Sequence, residues 1–289
     1  MIVADSGSTK CDWLIMDPNT GKVTQEVSTM GFNPFFHTVS HILDALNDSS
    51  ELVKRSREAT NVHYFGAGCS SPERRKVVYD ALAKFFFNAK SVQVDHDLIG
   101  AAYATCDGKP GIACILGTGS NMCYFDGEVV VNESTALGFI LGDEGSGSYM
   151  GKQLLRDFLY DDLPSQIKKE LVEEFGLSRE VVFHNVYSRP FANVYLASFA
   201  PFLSRHRHYY YVRKLVRKSL IDFLDTHVIT DEHYEEVPVH FVGSIAFFYE
   251  DILREVCTRK GIQTGNIVQQ PVHNIAAYLL KTRPTAVEA

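Results

Sequence analysis

Val3–Lys10 (VADSGSTK) and Cys114–Asn121 (CILGTGSN) are the two stretches whose reading decides the fold. Each is an apolar strand that runs into a turn of small residues. Each is followed by a second strand-like run, Cys11–Met16 in one and Cys123–Phe125 in the other, and then by a further turn, at 17–21 and at Asp126-Gly127. Laying Gly7-Ser8 on Gly119-Ser120 sets the two stretches 112 residues apart and matches Asp5 with Gly117. Two more pairs follow in the same order. Val62–Gly66 (VHYFG) resembles Val239–Gly243 (VHFVG), and Ala101-Ala102-Tyr103 repeats as Ala276-Ala277-Tyr278. Repeated segments in one order, flanked by the same element types, imply a duplicated architecture. The spacing grows by about 65 residues between the first pair and the second, which places an insertion in the second half between roughly residues 132 and 238.

The first half reads as three strands, a helix, a strand, a helix and a strand. The helices are expected at His37–Asn47, extending toward Ala59, and at Pro72–Phe87, where proline in the first turn is tolerated. The strand before the Ala-Ala-Tyr repeat centres on Val92–Val94 in one half and on Ile267–Val268 in the other. Extra helices are expected in the insertion near 146–160, 164–176 and 205–225. Strands alternating with helices predict an α/β fold with mixed sheets. The expected division is 1–98, with a C-terminal helix at 272–283 as a candidate to complete it, and 99–271, with the helical insertion at about 145–236.

Composition narrows the class. Of 289 residues, 45% are hydrophobic and 22% charged, the balance of a globular chain with a sizeable core. A net charge of −7 argues against a nucleic-acid or anionic-membrane surface as the main partner. No stretch nears the roughly 20 apolar residues of a membrane-spanning helix. The start, MIVADSGSTK, reads as a first strand rather than a signal peptide. Cys11, Cys69, Cys106, Cys114, Cys123 and Cys257 form no Cys-x-x-Cys pair, so reduced, partly buried thiols in a cytoplasmic protein are expected.

A turn rich in Gly and Ser leaves backbone N–H groups free to face an anion, and its hydroxyls add donors. Gly7, Ser8 and Thr9 in one copy, with Gly117, Thr118, Gly119 and Ser120 in the other, are therefore candidates to hold a polyphosphate from two sides. One such turn alone would more simply be a closed hairpin; the duplication favours binding. A carboxylate at Asp5 beside such a turn would repel phosphate unless a cation intervened. Mg²⁺, held through water by one carboxylate, is the natural choice. Lys10 adds a positive charge or is an exposed strand lysine.

On these residues the chain resembles the actin/sugar-kinase/heat-shock-chaperone superfamily, with its two duplicated ribonuclease H-like domains and interdomain cleft. Asp5–Lys10 resembles the first phosphate motif, Leu116–Asn121 the second, and Val242–Ala246, with Gly243 and Ser244, the adenosine motif. Gly117–Asn121 followed by Gly138–Gly145 (GFILGDEG) is similar to N-acetylglucosamine kinases and their relatives in the BadF/BadG/BcrA/BcrD ATPase family. The resemblance implies an ATP- and Mg²⁺-dependent kinase acting on N-acetylglucosamine or a related amino sugar at its 6-hydroxyl, and a homodimer. It implies Asp97 as the catalytic base, with Asn33, Thr118, Asn121 and Asp143 contacting the sugar. The chemistry agrees, since phosphoryl transfer needs positioning, charge neutralisation and one group to accept a proton. Asp97 as a simple helix cap is the competing role.

Asp95, two residues back along the strand, is the reserve base or metal ligand, with His96 between them facing the other way. The sugar-contacting tryptophan that the similar animal enzymes carry ahead of the Gly-Asp-Glu-Gly stretch is absent, and Phe139 stands in that region; the single tryptophan is Trp13. Arg205–Lys218 (RHRHYYYVRKLVRK) reads as a solvated basic helix face rather than a nucleic-acid surface. The alternative function is an ATP-binding regulator or partner-dependent ATPase.

Overall fold

The computed structural model describes residues 1–17 and 20–282. Pro18 and Asn19 of the expected turn, and position 283 of the expected C-terminal helix, lie outside the described residues. The first part of the chain forms β1 (Ile2–Ser6), β2 (Lys10–Met16), β3 (Val23–Met30), α1 (Val39–Asn47), α2 (Ser50–Arg55), β4 (Asn61–Gly66), α3 (Pro72–Phe85), β5 (Ser91–His96) and α4 (Asp97–Cys106). Then come β6 (Gly111–Leu116), β7 (Ser120–Phe125), β8 (Val130–Glu133), α5 (Gly138–Leu141), α6 (Gly147–Leu159), α7 (Ser165–Phe175) and α8 (Arg179–Phe183). A π-helical turn π1 (His184–Ser188) leads to α9 (Ala192–Ala197), α10 (Ala200–Arg205) and α11 (Tyr210–Phe223), which runs into a second such turn, π2 (Leu224–Val228). The chain ends with β9 (Val239–Val242), α12 (Ser244–Phe248), α13 (Glu250–Arg259), β10 (Thr264–Val268) and α14 (Val272–Lys281).

Two compact units result. One holds Met1–Lys109, Phe125–Val130 and the segment from Gln270; the other holds Pro110–Tyr124 and Val131–Gln269. The first unit's sheet has the order β3-β2-β1-β4-β5, antiparallel from β1 to β3 and parallel from β1 to β5. Both faces of β1 are covered, which is why Ile2, Val3 and Ala4 are apolar without alternation before the strand ends in Asp5 and Ser6. On one face Trp13, Phe32, Tyr64 and Phe86 pack together, with Trp13 within 6.3 Å of each of the other rings. On the other, Val3, Leu14 and Phe65 meet Ala104 of α4 and Ile275 of α14.

The helix boundaries follow their caps. Thr38 forms a capping box with His41, so α1 begins at Val39, and it stops at Asn47 because Ser49 caps a new helix, α2. Ser71 caps α3 with Pro72 in the first turn.

The second unit's sheet has the order β10-β9-β6-β7-β8. Numbered within each half, both sheets read third-second-first-fourth-fifth, which establishes the duplication as an α/β fold with two mixed five-stranded sheets. The helices α5 to α11 fall between the third and fourth strands of the second copy. The ladders also correct the match drawn from the sequence. Ile2 pairs with Val62, and the position paired with the equivalent Val239 is Ile112, not Cys114. Gly7 therefore corresponds to Gly117, and Asp5 to Ile115. A run of Gly-Thr-Gly-Ser offers two glycines for one, and the Gly-Ser dipeptide selects the wrong one.

The basic segment 205–218 is not one helix. It comprises the end of α10, a turn and most of α11. Arg207 and Arg213 pair with Asp251, and Arg217 with Glu255, both on α13. All six cysteines are buried. Among the described residues no helix is long and apolar enough to cross a membrane.

Candidate functional site

In the first unit the turn between β1 and β2 is braced from below. Gly7 N–H donates to the Lys10 carbonyl at 2.9 Å, and Gly31 N–H donates to the Thr9 carbonyl at 3.1 Å. Gly31 must be glycine, since a Cβ there would stand 2.0 Å from the Gly7 carbonyl oxygen. Ser6 Oγ accepts from Phe32 N–H at 3.0 Å, and Asn33 Nδ2 donates to Ser8 Oγ at 3.1 Å. Asn33, buried, also accepts from Phe35 N–H through Oδ1 at 3.0 Å. Asn33 is thus tied to the phosphate-type turn by the Ser8 hydroxyl. The outer side of Gly7 is open: a Cβ there would meet only the Lys10 oxygen, at 3.7 Å.

Three carboxylates gather beside this turn. Asp5 on β1 pairs across the ladder with Asp12 on β2, and Asp97 is the first residue of α4. Burial raises the Asp5 pKa to about 7, and the charges of Asp97 and Asp12 push it the same way. Lys10 Nζ lies 2.7 Å from Asp12 Oδ1 and answers that charge, which leaves Asp5 and Asp97. Asp97 Oδ1 is buried and accepts no well-directed hydrogen bond, although His96 Nε2 is 2.9 Å away. Among the described residues no three His, Cys, Asp or Glu side chains converge to ligate a metal. Two repelling carboxylates without a full ligand cage suit Mg²⁺, which keeps several waters and takes few protein ligands.

Asp95 and Asp97 do not lie on one strand. The strand ends at His96 and Asp97 is already helical, so two-residue alternation stops there. Asp95 instead faces Arg75, 4.0 Å away, and feels His63. His96, expected to point elsewhere, is the side chain beside Asp97.

In the second unit the turn between β6 and β7 receives the start of α6. Gly147 N–H donates to the Gly117 carbonyl at 2.8 Å and Ser148 N–H to the Thr118 carbonyl at 3.1 Å, while Ser146 caps the helix. Asp143 lies against Gly119, where a Cβ would come within 3.0 Å of its carboxylate. Burial raises the Asp143 pKa to about 6, a hydrogen bond from the Ser120 backbone opposing it and the Glu144 charge adding to it. Lys152 Nζ donates to the Phe139 carbonyl at 2.9 Å, and the charges of Asp143 and Glu144 both act on it.

Asn121 Oδ1 accepts from Ser134 Oγ and from Met122 N–H, each at 2.9 Å, so it anchors the loop after β8. Ser120, assigned to the phosphate turn, donates from Oγ to the Glu144 carbonyl at 2.7 Å. A cavity of about 350 Å³ opens beside Asp143, lined by Ser134–Leu137, Gly142–Glu144 and residues Thr226, His227 and Thr230 of the helical insertion. His227 and Lys152 carry no motif, and sequence reading passed over both.

Gly243 joins β9 to α12 at φ 113°, and a Cβ on it would stand 2.5 Å from the Leu116 carbonyl oxygen and 3.4 Å from Gly117 N. The adenosine-type motif and the second phosphate-type turn are therefore neighbours in this unit, with Ser244 opening α12. Gly243→Ala should lower unfolding stability by at least ~2 kcal/mol, through strain at positive φ and backbone overlap. A denaturant midpoint equal to that of the native chain would refute this close approach.

The model of the BadF/BadG/BcrA/BcrD ATPase family matches residues 4–208. A candidate N-acetylglucosamine kinase from Porphyromonas gingivalis is 35% identical, with 98% of this chain and 100% of that one covered, at a TM-score of 0.91. A candidate N-acetylglucosamine kinase from Chromobacterium violaceum is 18% identical over 96% of this chain and 97% of its own, at a TM-score of 0.70. A ROK family glucokinase from Streptomyces griseus, solved with glucose and AMPPNP, is 13% identical over 97% of this chain and 98% of its own, at a TM-score of 0.54. The last two share the fold alone. Comparison with curated proteins gives no match. With the family model spanning most of the chain and the P. gingivalis structure matching it end to end, this chain belongs to the BadF/BadG/BcrA/BcrD ATPase family.

Proposed function

We propose that the chain is a sugar kinase that transfers the γ-phosphoryl group of ATP to the 6-hydroxyl of N-acetylglucosamine or a closely related amino sugar. The observation that carries this reading is the pair Asp5 and Asp97 beside a braced glycine turn, with a buried Asp97 oxygen short of a well-directed donor. Asp97 accepts the proton of the attacking hydroxyl, whose oxygen bonds to the γ-phosphorus as ADP departs. Gly7, Ser8 and Thr9, with Lys10 near them, and Gly117–Ser120 offer N–H groups and hydroxyls to phosphate oxygens, and Gly243 and Ser244 serve the adenosine. Asp5 is the residue that would hold Mg²⁺ through water, and the ion would neutralise phosphate charge. Asn33, Thr118, Asn121 and Asp143 contact the sugar. Similarity to the P. gingivalis candidate N-acetylglucosamine kinase supports the amino sugar over other hexoses.

A coupled assay of ADP release against N-acetylglucosamine, N-acetylmannosamine, glucosamine and glucose tests the proposal. ADP release that no sugar stimulates would favour an ATP-binding regulator instead.

Asp143 gives the proposal a pH signature. Its carboxylate accepts charge-assisted hydrogen bonds from sugar hydroxyls on both oxygens only when ionised, and its pKa is raised to about 6. KM for the sugar should therefore rise as pH falls through about 6, and Asp143→Asn should raise KM by ~10–100-fold and flatten that dependence. A sugar KM that stays constant between pH 5 and pH 8 in the native chain would count against this role.

A further inference from the structure

Glu144 and His227 form a contact for which the proposed reaction has no use. Glu144 Oε2 lies 3.2 Å from His227 Nε2, and both side chains are mostly buried, at 19% and 9% exposure. Glu144 directly follows Asp143, whose φ of 60° puts a non-glycine residue in the left-handed region. Such a conformation persists only when its surroundings hold it. Ser146 N–H donates to the Asp143 carbonyl at 3.1 Å, and Ser120 Oγ holds the Glu144 carbonyl. Those bonds fix the backbone; the Glu144 side chain is fixed by His227.

His227 reaches Glu144 from the helical insertion by way of π2, where Ile229 N–H donates to the Leu224 carbonyl at 2.9 Å. The π turn adds a residue to the helical run of α11 and so re-aims the side chains after it. It is itself anchored. Thr230 Oγ1 donates to the His227 carbonyl at 2.9 Å, and the next residue, Asp231, accepts from Asn132 Nδ2 of β8 at 3.0 Å. Thr226, His227 and Thr230 then form one wall of the cavity of about 350 Å³ whose other walls carry Asp143 and Leu137.

We propose that His227 is a positioning residue. Through Glu144 it holds the strained Asp143 turn in register, so that sugar affinity in this chain depends on the helical insertion. The inference rests on the reading of Asp143 as the carboxylate that grips sugar hydroxyls.

Steady-state kinetics of the full chain separate the two claims. Asp143→Asn tests the reading itself. His227→Ala should raise the sugar KM about tenfold, with kcat and the KM for ATP within about twofold of native. His227→Gln, which keeps an amide donor for Glu144, should recover most of the loss, and Glu144→Gln combined with His227→Ala should add little to either change alone.

If Asp143→Asn raises the sugar KM but His227→Ala does not, the positioning role is wrong and the reading stands. If Asp143→Asn leaves the sugar KM unchanged, the reading fails and takes the inference with it. A His227→Ala variant that loses thermal stability with the sugar KM intact, or shifts the ATP KM equally, would show a merely structural contact and overturn the proposal. Should His227→Ala not fold, Glu144→Gln carries the same KM test.

Discussion

Asp97→Asn should cut kcat by at least ~100-fold while leaving nucleotide binding and the sugar KM within a few-fold of native. Asparagine keeps the size and hydrogen-bonding reach of the side chain, so the hydroxyl can still be bound. It cannot accept the proton that must leave the hydroxyl oxygen as the new bond to phosphorus forms. The loss therefore belongs in turnover rather than affinity. The structure sharpens the control. Asp95, which alternation along a strand would place beside Asp97, faces Arg75 and His63 instead. Asp95→Asn should accordingly change kcat by less than about threefold, a surface-type effect. Turnover measured by ADP release, together with calorimetric binding of a non-hydrolysable ATP analogue, distinguishes the outcomes. Near-native kcat in Asp97→Asn would remove the proposed base, and a large loss in Asp95→Asn would transfer the role.

The pattern of apolar strands, small-residue turns and recurring short segments was enough to read a duplicated α/β fold. Those signals are local: strand alternation, a turn, a proline in a first helical turn. What could not be read locally was the register between copies. Gly117-Thr118-Gly119 permits two alignments, and only the pairing of Ile112 with Val239 decides between them. The insertion was legible as a lengthened spacing and a few helices. Its turns π1 and π2 were not, because a π turn has no composition of its own and arises where packing re-aims a helix.

The site divided along the same line. Residues inside repeated or family-like motifs, such as Asp5, Asn33, Asp97 and Asp143, could be named from the sequence. Their immediate neighbours could not. His96 lies beside Asp97 because the strand becomes a helix at that residue, and His227 meets Glu144 across more than 80 positions of sequence. Contacts of that kind are set by tertiary packing and leave no spacing to read.

Asp5→Asn should stabilise the metal-free protein at pH 8 and, at the same time, raise the Mg²⁺ concentration needed for turnover. Burial and the charges of Asp97 and Asp12 lift the Asp5 pKa from the usual 3.8 to about 7. The folded chain therefore prefers the protonated form, and the sign follows from linkage. The stabilising contribution of this group is complete below about pH 4, where the unfolded chain is protonated too, and is lost as pH rises through about 7. At pH 8 the native chain carries a carboxylate that repels Asp97, and asparagine removes that charge without changing the volume. After allowance for solvent screening at a site that is only partly enclosed, the gain should be about 2 kcal/mol, seen as a rise in Tm of several degrees. Between pH 4 and pH 7 the native Tm should fall relative to that of the variant, and the two curves should converge at the acid end. The same repulsion is what a divalent cation relieves, so Mg²⁺ should raise the Tm of the native chain more than that of Asp5→Asn. A variant that is less stable than native at pH 8, or that keeps the native Mg²⁺ dependence of kcat, would show that Asp5 has a structural role and that the cation is held elsewhere.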